Sequence, residues 1–338
     1  MSSKNSTSAQ NGQLPSLKNL SPDQPLLDIQ DLRVVYLTMR GPVKAVDGVS
    51  FSIKPGEVVG LAGESGSGKS TIAHAILRIL HPPALITGGQ ALFAGLDILE
   101  MNDAELEQFR WSNISIVFQS AMNALNPVMR IRDQLMDVML HHGLSKTEAA
   151  ERALNLFDLV GIEPQRLDAY PHQLSGGMRQ RVVIAIALAL NPPMLILDEP
   201  TTALDVVVQK DILQQIATLR EKLGFSILFI THDLSLLVEF STHIAIMYAG
   251  EIVEKAPARE LCDNPLHPYT LGLMNSFPSI SGEKHKLTGI PGSPPDLVTP
   301  PSGCRFHPRC PKAMPVCSQT APLTKIISAD HSVACHLY

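Results

Sequence analysis
A glycine-rich loop set between an apolar strand and a helical pattern is the tightest constraint in the chain. Residues 58–62 read Val58-Val59-Gly60-Leu61-Ala62, short and apolar enough for a buried strand. Gly63-Glu64-Ser65-Gly66-Ser67-Gly68-Lys69-Ser70 follows, and residues 71–80 carry helical periodicity. The octet matches G-x-x-x-x-G-K-[ST] at every fixed position, in the strand–loop–helix context which that pattern requires. Its glycines let backbone N–H groups close around phosphate oxygens, and the helix behind it presents its positive end. Lys69 would reach the β- and γ-phosphates of a nucleotide, and the Ser70 hydroxyl would ligate Mg²⁺. A plain Gly/Ser-rich turn is the competing reading, and the strand and helix on its two sides argue against it.

Two later segments supply what such a loop needs. Met194-Leu195-Ile196-Leu197-Asp198-Glu199-Pro200 is an apolar strand ending in paired carboxylates. Asp198 sits where a carboxylate would hold Mg²⁺, and Glu199 where one would orient or deprotonate the attacking water. Alone, the pair could equally be a solvated turn. Leu174-Ser175-Gly176-Gly177-Met178-Arg179-Gln180 precedes a long apolar helix over residues 178–190. A bare Ser-Gly-Gly there would be a helix N-cap.

With the phosphate loop before it and the Asp198-Glu199 strand after it, this segment closely resembles the signature of the ATP-binding-cassette (ABC) family. The resemblance runs from residue 26 to residue 338 and implies nucleotide contacts along Gly63 to Thr71. Tyr36 matches the family's adenine-stacking aromatic, with a core-packing strand residue as the alternative. Gln119, in Ile116-Val117-Phe118-Gln119, matches the glutamine that senses Mg²⁺ and the γ-phosphate. Ala203-Leu204-Asp205 matches the D-loop, and His232, in Thr231-His232-Asp233, the switch histidine. The resemblance implies catalytic roles for Glu199, His232, Gln119 and Lys69, and a head-to-tail pair of subunits. Ser175, Gly176, Gly177 and Asp205 would then complete the site of a partner. It also implies an α/β, P-loop NTPase (RecA-like) core with an N-terminal antiparallel β subdomain and a helical subdomain.

Organisation along the chain fits that plan. Residues 1–25 are rich in Ser, Asn, Gln and Pro and read as a disordered tail. Residues 26–264 form the nucleotide-binding domain, with antiparallel strands over 27–53 and a helical subdomain over about 121–178. Helices are expected at 104–110, 131–142, 146–160, 206–223 and 234–240, and strands at 194–197, 226–230, 244–248 and 251–254. After about residue 264 the composition shifts to Pro, Gly and Ser. Net charge is −5, which argues against nucleic acid as the main partner. No apolar run is long enough to span a bilayer, so the protein is expected at the cytoplasmic face of the inner membrane, held there by partners.

The tail narrows the resemblance. Asn264-Pro265-Leu266-His267-Pro268-Tyr269-Thr270 and Gly289-Ile290-Pro291-Gly292-Ser293-Pro294-Pro295 look like the C-terminal extension of dipeptide/oligopeptide importer ATPases. Read alone, His267-Pro268-Tyr269 would be a simple loop turn. Met178, Thr201 to Asp205 and Ala124 to Pro127 favour the D-type subunit over its F-type partner. The resemblance thus implies a second, non-identical ATPase subunit, two permease subunits docking beside Gln119, and indirectly an extracytoplasmic binding protein. Nickel, opines or oligosaccharides are alternative cargoes, and a soluble regulatory ATPase is a more distant alternative.

Four of the five cysteines lie after residue 300, spaced C-x₅-C-x₆-C-x₁₇-C at Cys304, Cys310, Cys317 and Cys335. In a cytosolic chain such clustering suggests metal rather than disulfides. The chemistry leaves zinc, an iron–sulfur cluster and uncoordinated buried thiols open. Some relatives of this stretch bind a [4Fe–4S] cluster, so the expectation is a small irregular C-terminal cluster domain over 265–338. Arg305, Arg309, Lys312 and Lys325 against Asp330 would offset its negative charge. Cys262 lies outside the pattern and reads as a small buried apolar residue.

Overall fold
A computed structural model describes residues 21, 24–118, 124–201, 205–276 and 289–338. Most of the 1–25 tail, Gln119, Ala203 and Leu204 lie outside the described residues.

Two sheets organise the chain. The smaller is antiparallel: β1 (Leu27–Thr38) pairs with β2 (Gly41–Ile53) on one side and β4 (Ala84–Phe93) on the other, and β5 (Leu96–Asp97) extends β4. Leu27, Ile29, Leu32 and Val34 of β1 are buried. The switch from odd to even positions marks a bulge at Asp31, whose φ is 47° and whose N–H donates to Ser50 Oγ at 2.8 Å.

The larger sheet has eight strands. Its parallel part runs β9 (His243–Tyr248), β3 (Val58–Ala62), β8 (Ser226–Ile230), β7 (Met194–Asp198) and β6 (Ile114–Val117). β10 (Glu251–Pro257) turns back antiparallel on β9, and the tail strands β12 (Ser332–Ala334) and β11 (Thr324–Ile326) continue that edge. Every residue of β3, β7 and β8 is buried. Their side chains alternate between two cores: Leu195, Leu197, Ile227 and Phe229 enter one, and Met194, Ile196, Leu228 and Ile230 the other. A strand covered on both faces has no polar side, hence the uninterrupted apolar runs.

On the first face pack α3 (Ile131–His141), α4 (Lys146–Leu159), α5 (Gly176–Ala187), α6 (Val206–Leu223) and α7 (Leu234–Phe240). On the second lie the antiparallel sheet, α1 (Lys69–Ile76) and α2 (Asp103–Phe109). The α1 helix stops short of the expected residue 80. Arg78 adopts φ 50°, and the Arg110 guanidinium takes the carbonyls of Leu77 and Arg78 at 2.8–3.0 Å, so the last turn is capped by a side chain.

After residue 264 the chain stays against the main sheet. α8 (Ala258–Asp263) is followed by α9 (Pro268–Met274), and Tyr269 and Phe306 lie in the first core. β12 pairs with β10 at Glu254↔Val333. Cys262 is exposed, contrary to the sequence reading. It follows Leu261 on a helix whose buried side is Ala258 and Leu261, and so turns outward.

Candidate active site
The phosphate loop joins the end of β3 to the start of α1. Gly63, Gly66 and Gly68 have φ of 149°, 78° and 106°. A Cβ on Gly63 would stand 2.1 Å from the Met247 carbonyl, and one on Gly68 2.1 Å from that of Ala45. Glycine is therefore demanded by backbone shape and by close approach together. Gly68 caps α1 without a side chain, leaving the first N–H groups of the helix open for an anion. Lys69 Nζ donates to the carbonyls of Gly63 at 2.8 Å and Glu64 at 3.0 Å, and burial lowers its pKa. Ser65 and Gly66 form the exposed tip, while Ser67 is buried.

The end of β7 faces the start of α1. Ser70 Oγ donates to Asp198 Oδ1 at 2.9 Å. Asp198 is buried, and its burial raises the carboxyl pKa against the pull of the Ser70 hydrogen bond, His74 and Lys69. A hydroxyl and a buried carboxylate this close, with the charge short of compensation, are a donor set suited to Mg²⁺. Next in the chain, Glu199 takes φ 46° and donates its N–H to Ile230 O at 2.8 Å, which turns its side chain out of the strand. His232, just past β8, brings Nδ1 to 3.4 Å from Glu199 Oε1. Tyr36, from β1, has its hydroxyl 3.3 Å from Thr71 Oγ1 on α1. Lys69, Ser70, Asp198, Glu199 and His232 thus converge at the C-terminal ends of the neighbouring strands β3, β7 and β8.

Sequence reasoning missed His74 here. It lies one turn after Ser70, and its Nε2 stands 3.9 Å from Asp198 Oδ2. Burial lowers its pKa, and its ring meets Phe118 edge-on at 5.9 Å. The i, i+4 spacing from Ser70 was the available signal.

Ser175 is exposed and caps α5, accepting from Met178 N–H at 3.3 Å; Gly176 and Gly177 form the first turn. A Cβ on Gly177 would stand 3.0 Å from Val208 Cγ1 of α6. Asp205 caps α6 in the same way, accepting from Val208 N–H at 3.0 Å. The N-cap reading of the Ser-Gly-Gly run describes the geometry of Ser175 within one chain, and both caps begin helices of the same core.

The tail touches this site from outside. His267-Pro268-Tyr269 is no loop turn: His267 caps α9, its Nδ1 accepting from Tyr269 N–H at 3.0 Å. The Tyr269 hydroxyl accepts the Glu64 N–H at 2.9 Å. Arg309 grips the Glu64 carboxylate with both terminal nitrogens, at 2.8 and 3.0 Å. Arg305 pairs with Asp47 and, at 2.9 Å, with Glu251. Two of the cations expected to offset a cluster are therefore committed to carboxylates of the core, although Lys312 does favour the thiolates of Cys310 and Cys335.

Cys304, Cys310, Cys317 and Cys335 lie close enough that charge on one would act on the others. Burial pushes the Cys304 thiol up to about 11, and those of Cys310 and Cys335 also upward. Among the described residues no group of three or more His, Cys, Asp or Glu side chains is gathered so as to hold a single metal ion. No described helix is long and apolar enough to cross a membrane.

The ABC transporter family model matches residues 46–202, and that of the oligopeptide/dipeptide transporter C-terminal region matches residues 253–317. The dipeptide transport ATP-binding protein DppD of Caldanaerobacter subterraneus is 43% identical over 93% of this chain and 97% of its own length. The oligopeptide transport ATP-binding protein OppD of Salmonella typhimurium is 45% identical over 89% and 91%. Among solved structures, the dimeric MJ0796 cassette, a bacterial ABC transporter cassette, superposes with a TM-score of 0.62 at 30% identity, over 69% of this chain and 99% of that one. The same cassette in a post-hydrolysis state with ADP and Pi gives 0.61 at 30% identity, with the same coverage.

Proposed function
The chain belongs to the ABC transporter family of ATP-binding proteins, and from that premise we propose that it is the ATP-hydrolysing subunit of a dipeptide or oligopeptide importer. The observation that carries the reading is the meeting of Lys69 and Ser70 with Asp198, Glu199 and His232 at the C-terminal ends of the central strands. Lys69 leaves the Gly63 and Glu64 carbonyls to meet the β- and γ-phosphates, while loop and helix N–H groups bind the remaining oxygens. Ser70, Asp198 and Gln119 would hold Mg²⁺, which neutralises charge developing on the phosphates. Glu199 takes the proton of the attacking water, and His232 steadies that carboxylate and contacts the γ-phosphate. Tyr36 and Thr71 border the base and phosphates.

In this reading the exposed Ser175 cap, Gly176, Gly177 and Asp205 complete the nucleotide site of a second, non-identical ATPase subunit. Two permease subunits dock beside Gln119 at the cytoplasmic face of the inner membrane, and an extracytoplasmic binding protein supplies the peptide. The relatives' names and the tail match support this assignment. The full chain, co-expressed with two permeases and a partner ATPase, should hydrolyse ATP faster when peptide-loaded binding protein is added. Stimulation by nickel or an oligosaccharide, and none by peptide, would overturn the choice of cargo.

The finer division into 26–264, with helices over about 121–178, and a 265–338 extension belongs to the same proposal, as does a [4Fe–4S] cluster on the four cysteines. The mutual proximity of the four thiols supports this part of the reading. Such a group supplies a covalent cross-link and a one-electron centre. Anaerobically purified protein should carry iron and sulfide; stoichiometric zinc would refute the cluster.

A further inference from the structure
We infer that the C-terminal extension sets the shape of the phosphate loop from outside, with Arg309 and Tyr269 as positioning residues for ATP binding. The inference rests on the reading of residues 63–70 as the ATP loop.

Glu64 is the pivot. Three of its polar groups are engaged: its N–H by the Tyr269 hydroxyl, its carboxylate by Arg309, and its carbonyl by Lys69 Nζ. A chain of contacts therefore runs from the tail to the lysine that meets the phosphates. Arg309 is built for this post. It is buried, and besides Glu64 it donates to Pro291 O at 2.7 Å, Tyr248 OH at 3.3 Å and Gly292 O at 3.4 Å. That engages all five guanidinium N–H donors, which a lysine ammonium does not match.

The two tail residues share a support. Tyr248, Tyr269 and Phe306 pack with ring centroids 4.6–5.3 Å apart, and the Arg309 guanidinium lies over the Tyr248 ring at 5.7 Å. Phe306 immediately precedes the short 3₁₀ turn His307–Arg309 that carries the arginine. A second tie reaches the far side of the loop. Gly250 N–H donates to Ser67 O at 3.0 Å, and Arg305 bonds the neighbouring Ala249 carbonyl. The exposed tip, Ser65 and Gly66, is thus bracketed by ties at Glu64 and Ser67.

A loop with three glycines in eight residues has much conformational freedom to lose when it closes on an anion. Fastening it at both shoulders before ATP arrives lowers that loss, and affinity rises accordingly. Packing alone would account for Tyr269 without its hydroxyl and for a cation at 309 without a fork. The hydroxyl and the fork both end on Glu64.

The test uses the full-length chain and ATP itself, with titration calorimetry, melting temperature and hydrogen exchange of residues 63–68. Tyr269→Phe keeps the ring and deletes the hydroxyl; Arg309→Lys keeps the charge and deletes the fork. Each should raise the Kd for ATP about fivefold to tenfold and speed exchange in the loop, with kcat at saturating ATP in the assembled transporter within about twofold of wild type. Glu64→Gln combined with Arg309→Lys should bind no worse than the weaker single variant, since both break one pair. Unchanged Kd and loop exchange in Tyr269→Phe would overturn the inference. That variant alone decides should Arg309→Lys fail to fold. Absence of ATP binding by the wild-type chain would instead overturn the reading of the loop.

Discussion

Asp198 at the end of β7 and Glu254 on β10 are both buried carboxylates, held in quite different ways. Glu254 accepts N–H groups from Leu266 at 2.7 Å and His267 at 2.9 Å, and the His331 ring at 2.8 Å, which reaches on to Glu260 at 2.8 Å. Asp198 receives the Ser70 hydroxyl, with His74 as far as 3.9 Å away, and burial raises its pKa. One carboxylate is satisfied by its own chain and ties the tail to the sheet. The other is left short of positive charge, which fits the Mg²⁺ role proposed for it. Hydrogen-bond satisfaction, more than burial, separates structural charge from chemical charge in this molecule.

The sharpest way to break that contrast lies beside Asp198. Glu199→Gln should lower ATP turnover of the assembled transporter about a thousandfold while ATP still binds. Undiminished turnover would remove Glu199 from the chemistry.

At the satisfied site the expected loss is in stability. Glu254→Ala leaves two N–H groups and His331 without their acceptor and should cost about 3 kcal/mol in urea unfolding. Asp198→Asn should leave stability unchanged or raise it, since the neutral amide suits a site that disfavours the charge, and Mg²⁺-dependent ATP binding should fall. Equal destabilisation by the two substitutions would erase the distinction.

A smaller effect separates the regions by pH. Burial lowers the His267 pKa from 6.5 to about 4. Between those values the unfolded chain binds the proton and the folded chain does not, so stability falls as pH drops. The contribution lost between pH 7 and pH 5 is about 2 kcal/mol. His267→Asn, whose side-chain oxygen still caps α9, should lose less over that interval, measured by urea unfolding at the two pH values. Smallest of all, Cys262→Ser should change stability by less than about 0.5 kcal/mol. Cys262 in the folded wild type should react readily with a thiol reagent, and slow labelling would contradict its outward position.

These contrasts follow what the residues reveal before folding. β3, β7 and β8 are legible because a strand buried on both faces leaves an unbroken apolar run, and Ser175, Asp205 and Asp233 announce helix starts through their own side chains. β4 escaped because Gly88-Gly89 interrupts its alternation, and Gly89 is needed there: a Cβ would come within 2.4 Å of the Asp31 carbonyl on β1. β11 and β12 are too short for any period to appear, and exist because β10 offers an edge. The converging Lys69, Ser70, Asp198, Glu199 and His232 were readable from local motifs. The tail's part in that site was not, since Tyr269 and Arg309 meet Glu64 across more than 200 residues of chain. Their role has no local pattern, and Arg305 and Arg309 read equally well as counter-charges for thiolates.

The placing of β3 in the middle of the sheet has a consequence for how the protein comes into being. Its neighbours on either side are β8 and β9, made long after it during synthesis from the N-terminus. A growing chain therefore releases the phosphate loop early, with no flanking strands to hold it. The loop is pinned at both shoulders only when Tyr269, Arg305 and Arg309 have emerged. A product stalled before those residues carries the full motif without the frame that gives it shape.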